Sequence, residues 1–162
     1  MKNKSTPSHY ILITADVDKS LLALPSAFDV AMYRLKHKQW GFKSTTRNRR
    51  SIKINDRLLI YTAGRRENGR CFIATAEVAS PVRPAANNSE NVDSPVMQKA
   101  VSCDLVFDLK NIRKFRNFVS IYDVKKHLKC IKTPESIKWA CVFQNGSLRI
   151  SIKDYMYIFK RG

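Results

Sequence analysis

The sequence predicts an α+β domain: short mixed strands curled into a closed or nearly closed barrel, with short helices at the connections. Three observations carry that expectation. The middle of the chain holds two apolar runs, Leu58–Ala63 and Cys71–Val78, separated by a seven-residue loop containing Asn68-Gly69. An Asn-Gly pair between two such runs is a strong hairpin signal. Neither run alternates with polar residues, so the hairpin belongs at the centre of the core and not at its edge. Finally, helix-start signals recur between strand-like segments, at Ser26 with Asp29, Ser120 with Asp123 and Ser151 with Asp154.

The elements follow in order. Residues 1–9 are polar and are expected to be a flexible N-terminus, leaving 10–162 as a single domain. Tyr10–Thr14 is a short apolar strand, and 15–24 is a loop with a possible helical turn. Ser26 caps a helix running to about Lys36, with Ala27, Val30 and Ala31 facing inward. Trp40-Gly41-Phe42 follows, then a basic loop, KSTTRNRR. Asn55-Asp56 is the turn that feeds the central hairpin. The Pro-, Asn- and Ser-rich stretch Pro81–Val96 reads as a surface excursion, because a strand pattern resumes at Val101–Leu109. A second basic cluster comes next: Lys110, Arg113, Lys114 and Arg116. Ser120 opens a short helix whose buried stripe is Ile121, Val124 and Leu128. Ala140–Phe143 and Ser147–Ile150 read as a last pair of strands about Asn145-Gly146. A terminal helix carries Met156, Ile158 and Phe159.

The charge points to the partner. Thirty Lys and Arg against 13 Asp and Glu give a net charge of +17 over 162 residues. Cations in such excess favour a nucleic-acid partner, since phosphate contacts release counterions and steer association. No run approaches the ~18 apolar residues of a membrane span, so no membrane partner is expected. Nor does the N-terminus carry the apolar segment of a signal peptide, and the expected location is cytoplasmic. Oligomeric state has no sequence signal. The four cysteines, Cys71, Cys103, Cys130 and Cys141, form no CxxC pair, and His9, His37 and His127 are scattered. Neither pattern suits zinc, whose ligands come in closely spaced pairs. No phosphate-cradling glycine loop is present, so no cofactor is expected.

A catalytic site is hard to assemble. General acid–base chemistry needs paired carboxylates or a histidine beside one. Three acids are explained as helix caps and Asp56 as a turn residue. Glu77 stands alone in an apolar strand and is expected to face outward or to be ion-paired. What remains is aromatic and basic. Trp40 and Phe42 precede Lys43, Arg47, Arg49, Arg50 and Lys53. Rings flanked by cations suit base stacking with the cations on phosphates. By residue type alone, Trp40 serves equally well as a core side chain. Trp139 is expected in the core.

The order of these features resembles the EVE domain, a PUA-like family related to YTH domains. Trp40-Gly41-Phe42-Lys43-Ser44 stands where that family has Trp-Gly-Val-Arg-Asn. Lys53-Ile54-Asn55-Asp56, Leu58-Leu59-Ile60-Tyr61 and Ile73-Ala74-Thr75-Ala76-Glu77-Val78 stand for its turn and next two strands. The segments Cys103–Leu109, the helix from Ser120 and Gly146–Ser151 continue the pattern. The resemblance covers about residues 10 to 159. It implies a PUA-like mixed barrel and a non-enzymatic module that accepts a modified or flipped-out base of DNA or RNA into an aromatic pocket. Trp40 then becomes a pocket wall, with Thr14, Ala15, Ser44 and Thr45 at the base edge. Lys43, Arg47, Arg49, Arg50, Lys53, Arg65 and Arg66 hold phosphates. Two departures stand out. Ser44 replaces the asparagine, and Pro81–Lys99 has no aromatic to supply the second wall; Phe42, Tyr61 and Phe143 are the available substitutes. The competing expectations are an RNA-processing or base-hydrolysing enzyme on the same barrel, with Glu77 or Lys53 pointing inward, and the targeting domain of a larger modification-dependent restriction system.

Overall fold

In the computed structural model, which describes residues 6–17, 24–86 and 94–162, seven strands form one curled, mixed sheet, a half-barrel flanked by four short helices. In chain order they are β1 (His9–Thr14), α1 (Ala27–Lys36), β2 (Gln39–Phe42), β3 (Arg57–Thr62), β4 (Cys71–Val78), β5 (Arg83–Pro84), α2 (Pro95–Val101), β6 (Leu105–Ser120), α3 (Ile121–Val124), β7 (Ser147–Ile150) and α4 (Ile152–Phe159). The strand order is β2-β6-β4-β3-β1-β7, with β5 added beside β6. The β1–β3 pair is parallel and the other pairs are antiparallel. The apolar hairpin β3–β4 therefore occupies the middle of the sheet, flanked on both sides.

Strand alternation divides the interior into two cores. On β1, Tyr10 and Leu12 face one core and Ile11 the other; on β3, Leu58 and Ile60 face the first, Leu59 and Tyr61 the second. Ala31 and Leu35 of α1 join the first. Ile121 and Val124 of α3 and Tyr155 and Ile158 of α4 join the second. A strand buried on both faces cannot afford polar alternation, which explains the unbroken apolar runs.

The caps form as expected at α1. Ser26 Oγ accepts from the Asp29 backbone N–H, and the Asp29 carboxylate accepts from the Ser26 backbone N–H at 2.8 Å. At α4 only half the box forms. Ser151 Oγ accepts from the Asp154 N–H, but the buried Asp154 carboxylate turns away to accept the backbone N–H groups of Lys129 and Cys130. Those two backbone donors of a partly buried loop would otherwise lack this acceptor.

Several elements differ from the expectation. Strand β6 does not stop at Leu109. It runs sixteen residues, pairing with β2 through Asp108 and with β4 from Leu109 onward. Its ladder with β4 is irregular in register at Ile73 and Ala76. The basic cluster at 110–116 thus lies within the strand. Ala140–Phe143 is no strand: Trp139–Phe143 is a 3₁₀ turn, and β7 pairs with β1 instead. Short apolar runs read alike in either state, and here Phe143 packs as a single ring onto Tyr61 at 4.6 Å. Trp139, expected in the core, is only partly buried at the margin of the second core. The expected flexible stretch 1–9 divides. Residues 1–5 lie outside the described residues, while Ser8 is held by Asp56 and His9 already belongs to β1. Of the loop at 15–24 and the excursion at 81–96, residues 18–23 and 87–93 also lie outside the described residues. Ser94 caps α2 within the end of that excursion.

Candidate nucleic-acid interface

β2 explains why the family-like Trp-Gly pair is built as it is. Along it, Trp40 and Phe42 point inward and are 1% and 3% exposed, while Gly41 faces Cys103. A Cβ on Gly41 would lie 2.5 Å from Cys103 Sγ, so no larger residue fits without displacing that thiol. The Arg34 guanidinium lies 5.0 Å from the Trp40 ring centroid and donates to the Gly41 carbonyl at 2.6 Å. Burial pushes its pKa down to about 10.

The chain then leaves β2 as the basic loop. Ser147 Oγ of β7 donates to the Arg47 carbonyl at 2.5 Å, and Arg49 donates back to the Thr46 carbonyl at 3.1 Å. Because β2 and β7 are the two edges of the sheet, this loop spans the opening of the half-barrel. Its far side returns through Lys53, whose N–H is held by the Asp56 carboxylate at 2.8 Å.

A cleft of about 870 Å³ opens between this loop and the strands β5 and β6. Its floor is aliphatic: Ile52, Ile54, Pro81, Val82 and Leu105. Arg49, Arg50 and Lys53 supply three cations. Ser44 and Asp104 complete the lining, and the Ser44 backbone N–H donates to the Asp104 carboxylate at 2.6 Å. That bond, above all, holds the Asp104 carboxyl below its usual pKa range. Such a cleft can take a flat, partly apolar group on its floor with an anion at its rim. One acceptor, Asp104, is available to a donor on that group.

The structure brings together four of the residues expected at the site, Ser44, Arg49, Arg50 and Lys53. It does not assemble the expected ring pocket. Trp40 and Phe42 belong to the first core, and Phe42 packs against Phe107 at 5.3 Å. Tyr61 and Phe143 belong to the second core, on the opposite face of the sheet. The physical reason is alternation: Tyr61 follows Ile60 on one strand, so their rings and chains part to opposite faces. Thr14 is buried and spends its hydroxyl on the Ala27 carbonyl at 2.8 Å. Ala15 and Thr45 are exposed, and neither lines the cleft. Lys43 donates to Ser102, and Arg47 is exposed on the loop. Arg65 and Arg66 lie in the β3–β4 loop, where Arg66 donates to the Leu24 carbonyl. Glu77 is half-buried and accepts from the Asn111 side chain at 2.8 Å, and Lys53 is exposed at the cleft wall. Sequence reasoning missed Asp104 and the aliphatic floor. Their signal was weak, an Ile-Lys-Ile run before the hairpin and a Pro-Val after it. Among the described residues, no three His, Cys, Asp or Glu side chains gather into a group able to hold a metal ion, and no helix is long and apolar enough to cross a membrane.

A curled mixed sheet with short helices is the fold of the PUA-like class. The chain belongs to the EVE domain family, whose model matches residues 23–160. Among solved structures, it is similar to human THYN1 in complex with 5-methylcytosine containing DNA, at 14% identity and a TM-score of 0.59, over 95% of this chain and 96% of that one. It is also similar to protein Atu2648 from Agrobacterium tumefaciens, at 13% identity and a TM-score of 0.57, over 95% of this chain and 92% of that one. The N-terminal domain of Staphylothermus marinus McrB matches at 13% identity and a TM-score of 0.53, over 96% of this chain and 95% of that one. No curated protein sequence matches this chain.

Proposed function

We propose that this chain is a non-enzymatic module that binds nucleic acid and reads a modified or flipped-out base in the cleft under its basic loop. The observation that carries this reading is the juxtaposition of Arg49, Arg50 and Lys53 with an aliphatic floor in one cleft. Cations at a rim hold a phosphate backbone without reading sequence. An extruded base then reaches a floor that accepts its face through apolar contact, since a modification inside a duplex is out of reach. Asp104 is the acceptor for an exocyclic amine such as that of cytosine. A methyl group gains about 1 kcal/mol on an apolar floor, enough for a modest preference and no more. THYN1, a structural neighbour, was solved with 5-methylcytosine containing DNA, which supports DNA as the nucleic acid. The McrB neighbour is itself one domain of a larger protein, which supports a module in place of a free-standing enzyme.

The test is competition binding at ~0.15 M salt, where exposed charges are screened as in the cell. Plain duplexes compete with duplexes bearing 5-methylcytosine, 5-hydroxymethylcytosine or N6-methyladenine. A preference that Asp104→Asn alters and Arg49→Ala/Arg50→Ala weakens across all probes supports the reading. Equal affinity for every probe, with no effect of Asp104→Asn, refutes base reading in this cleft.

A further inference from the structure

The opposite end of the central hairpin carries a second cleft, of about 490 Å³, lined by Gly64, Arg65, Gly69, Arg70, Ser120 and Tyr122. The first cleft is lined by the segments before β3 and after β4, and the second by the loop that joins the end of β3 to the start of β4. A six-residue strand spans ~20 Å, so the two openings are well separated. The second differs in one respect that matters. It has an exposed ring.

Tyr122 is 49% exposed, large for an aromatic residue at the first turn of a packed element. Trp139 meets it edge to face, with centroids 5.8 Å apart at 72°. Cations surround both rings. The Arg70 guanidinium lies 5.6 Å from the Tyr122 centroid, and the Lys125 ammonium lies 5.8 Å from Tyr122 and 5.0 Å from Trp139. Arg70 is anchored there, because its carbonyl accepts the Ile121 N–H at 2.9 Å. Lys125 donates to the Pro134 carbonyl at 2.9 Å. The nearby acids are few. Asp16 is occupied by the backbone N–H groups of Ala27 and Arg65, and Asp123 follows Tyr122 on α3. Among the described residues, none of Arg65, Arg70 and Lys125 forms an ion pair.

We propose that this second cleft is a stacking site for an unpaired nucleotide of single-stranded nucleic acid, with Tyr122 as the platform and Arg65, Arg70 and Lys125 on the phosphates. A base inside a duplex presents no free face until it is extruded, whereas a single strand meets an exposed ring with its base faces already free. Stacking replaces a ring–cation contact with a ring–base contact. The displaced cation stays within a side chain's length of the phosphate that the base brings with it. This inference rests on nucleic-acid binding as proposed above, and it extends that binding to a second surface at the far end of the hairpin.

The experiment compares a fluorescent duplex containing 5-methylcytosine with the same duplex carrying an oligothymidine tail, using the full chain. The tail is expected to tighten binding by about tenfold, the usual scale for one stacked base. Tyr122→Ala abolishes that gain, Tyr122→Phe retains it, and Arg70→Gln reduces it. Arg49→Ala/Arg50→Ala weakens both probes and leaves their ratio unchanged. A 5-iodouracil tail crosslinks to the peptide containing Tyr122, which does not depend on any variant folding. No gain from the tail, or a gain that survives Tyr122→Ala, overturns the proposal. The tail ratio is read separately from the preference for 5-methylcytosine, so failure of base reading and failure of the stacking site give different results.

Discussion

The two clefts are built from the same kinds of residue and end up different. The one under the basic loop sets Arg49, Arg50 and Lys53 around an aliphatic floor, with no ring in its lining. The one at the hairpin tip sets Arg65 and Arg70 beside Tyr122, with Trp139 against it. In the sequence the first region looks the more aromatic, since Trp40 and Phe42 immediately precede its cations. The fold reverses that. A strand that forms one wall of a core sends alternate side chains inward, and both rings fall on the inward set. Tyr122 stands at the start of a four-residue helix whose inward positions are taken by Ile121 and Val124, so its ring stays outside. Proximity of rings and cations in a sequence therefore locates a site only once the local period is known.

This contrast can be attacked in several places. The largest expected effect is on stability. Trp40→Ala should cost roughly 3–5 kcal/mol, as for other fully buried aromatic residues, and lower the Tm in a thermal melt. Normal stability with selective loss of base preference would put Trp40 back at the cleft wall and erase the difference between the two ends. Next comes Arg49→Ala/Arg50→Ala. It is expected to weaken plain and modified duplexes alike, and to flatten the slope of log affinity against log salt by about two if each arginine neutralises one phosphate. By contrast, Lys110→Ala/Lys114→Ala on β6, equal in charge but outside both clefts, should change that slope less. A larger effect there would show that charge matters and concavity does not.

Smaller still is Ser26→Ala. It removes one half of the capping box at α1 and should cost about 1 kcal/mol by denaturant titration, with base preference intact. The smallest is Asp104→Asn, expected to leave affinity for plain duplex nearly unchanged and to shift preference among modified bases a few-fold. Its pH dependence has a definite sign. The folded carboxyl titrates below the usual carboxylate range, so the Ser44 hold is complete above that range and is lost as pH falls through the lower, folded pKa. Base preference should consequently be flat from ~pH 5 upward if Asp104 is the only titrating group involved.

Much of this molecule was legible before folding. The central hairpin was, because two unbroken apolar runs about Asn68-Gly69 have few other uses. The cap of α1 was, because Ser26 and Asp29 satisfy each other locally within one turn. The net charge of +17 was, because it is a sum over residues and does not depend on where they sit. The order of motifs pointed to the EVE family from about residue 10 to 159. All of these are properties of short windows or of totals.

Tertiary structure decided the rest. It carried the strand on from Leu109 through 110–116, because β6 lies between β2 and β4 and pairs with β4 along the basic cluster. It drew the Asp154 carboxylate away from its cap to the loop at Lys129 and Cys130, where it accepts from two backbone donors. It separated Trp40 and Phe42 from Tyr61 and Phe143 by a sheet, and it brought Asp104 to Ser44 across sixty residues. Each of these outcomes depends on which segments lie side by side. A sequence specifies that through the sum of many packing and hydrogen-bonding choices, so no single window of residues contains it.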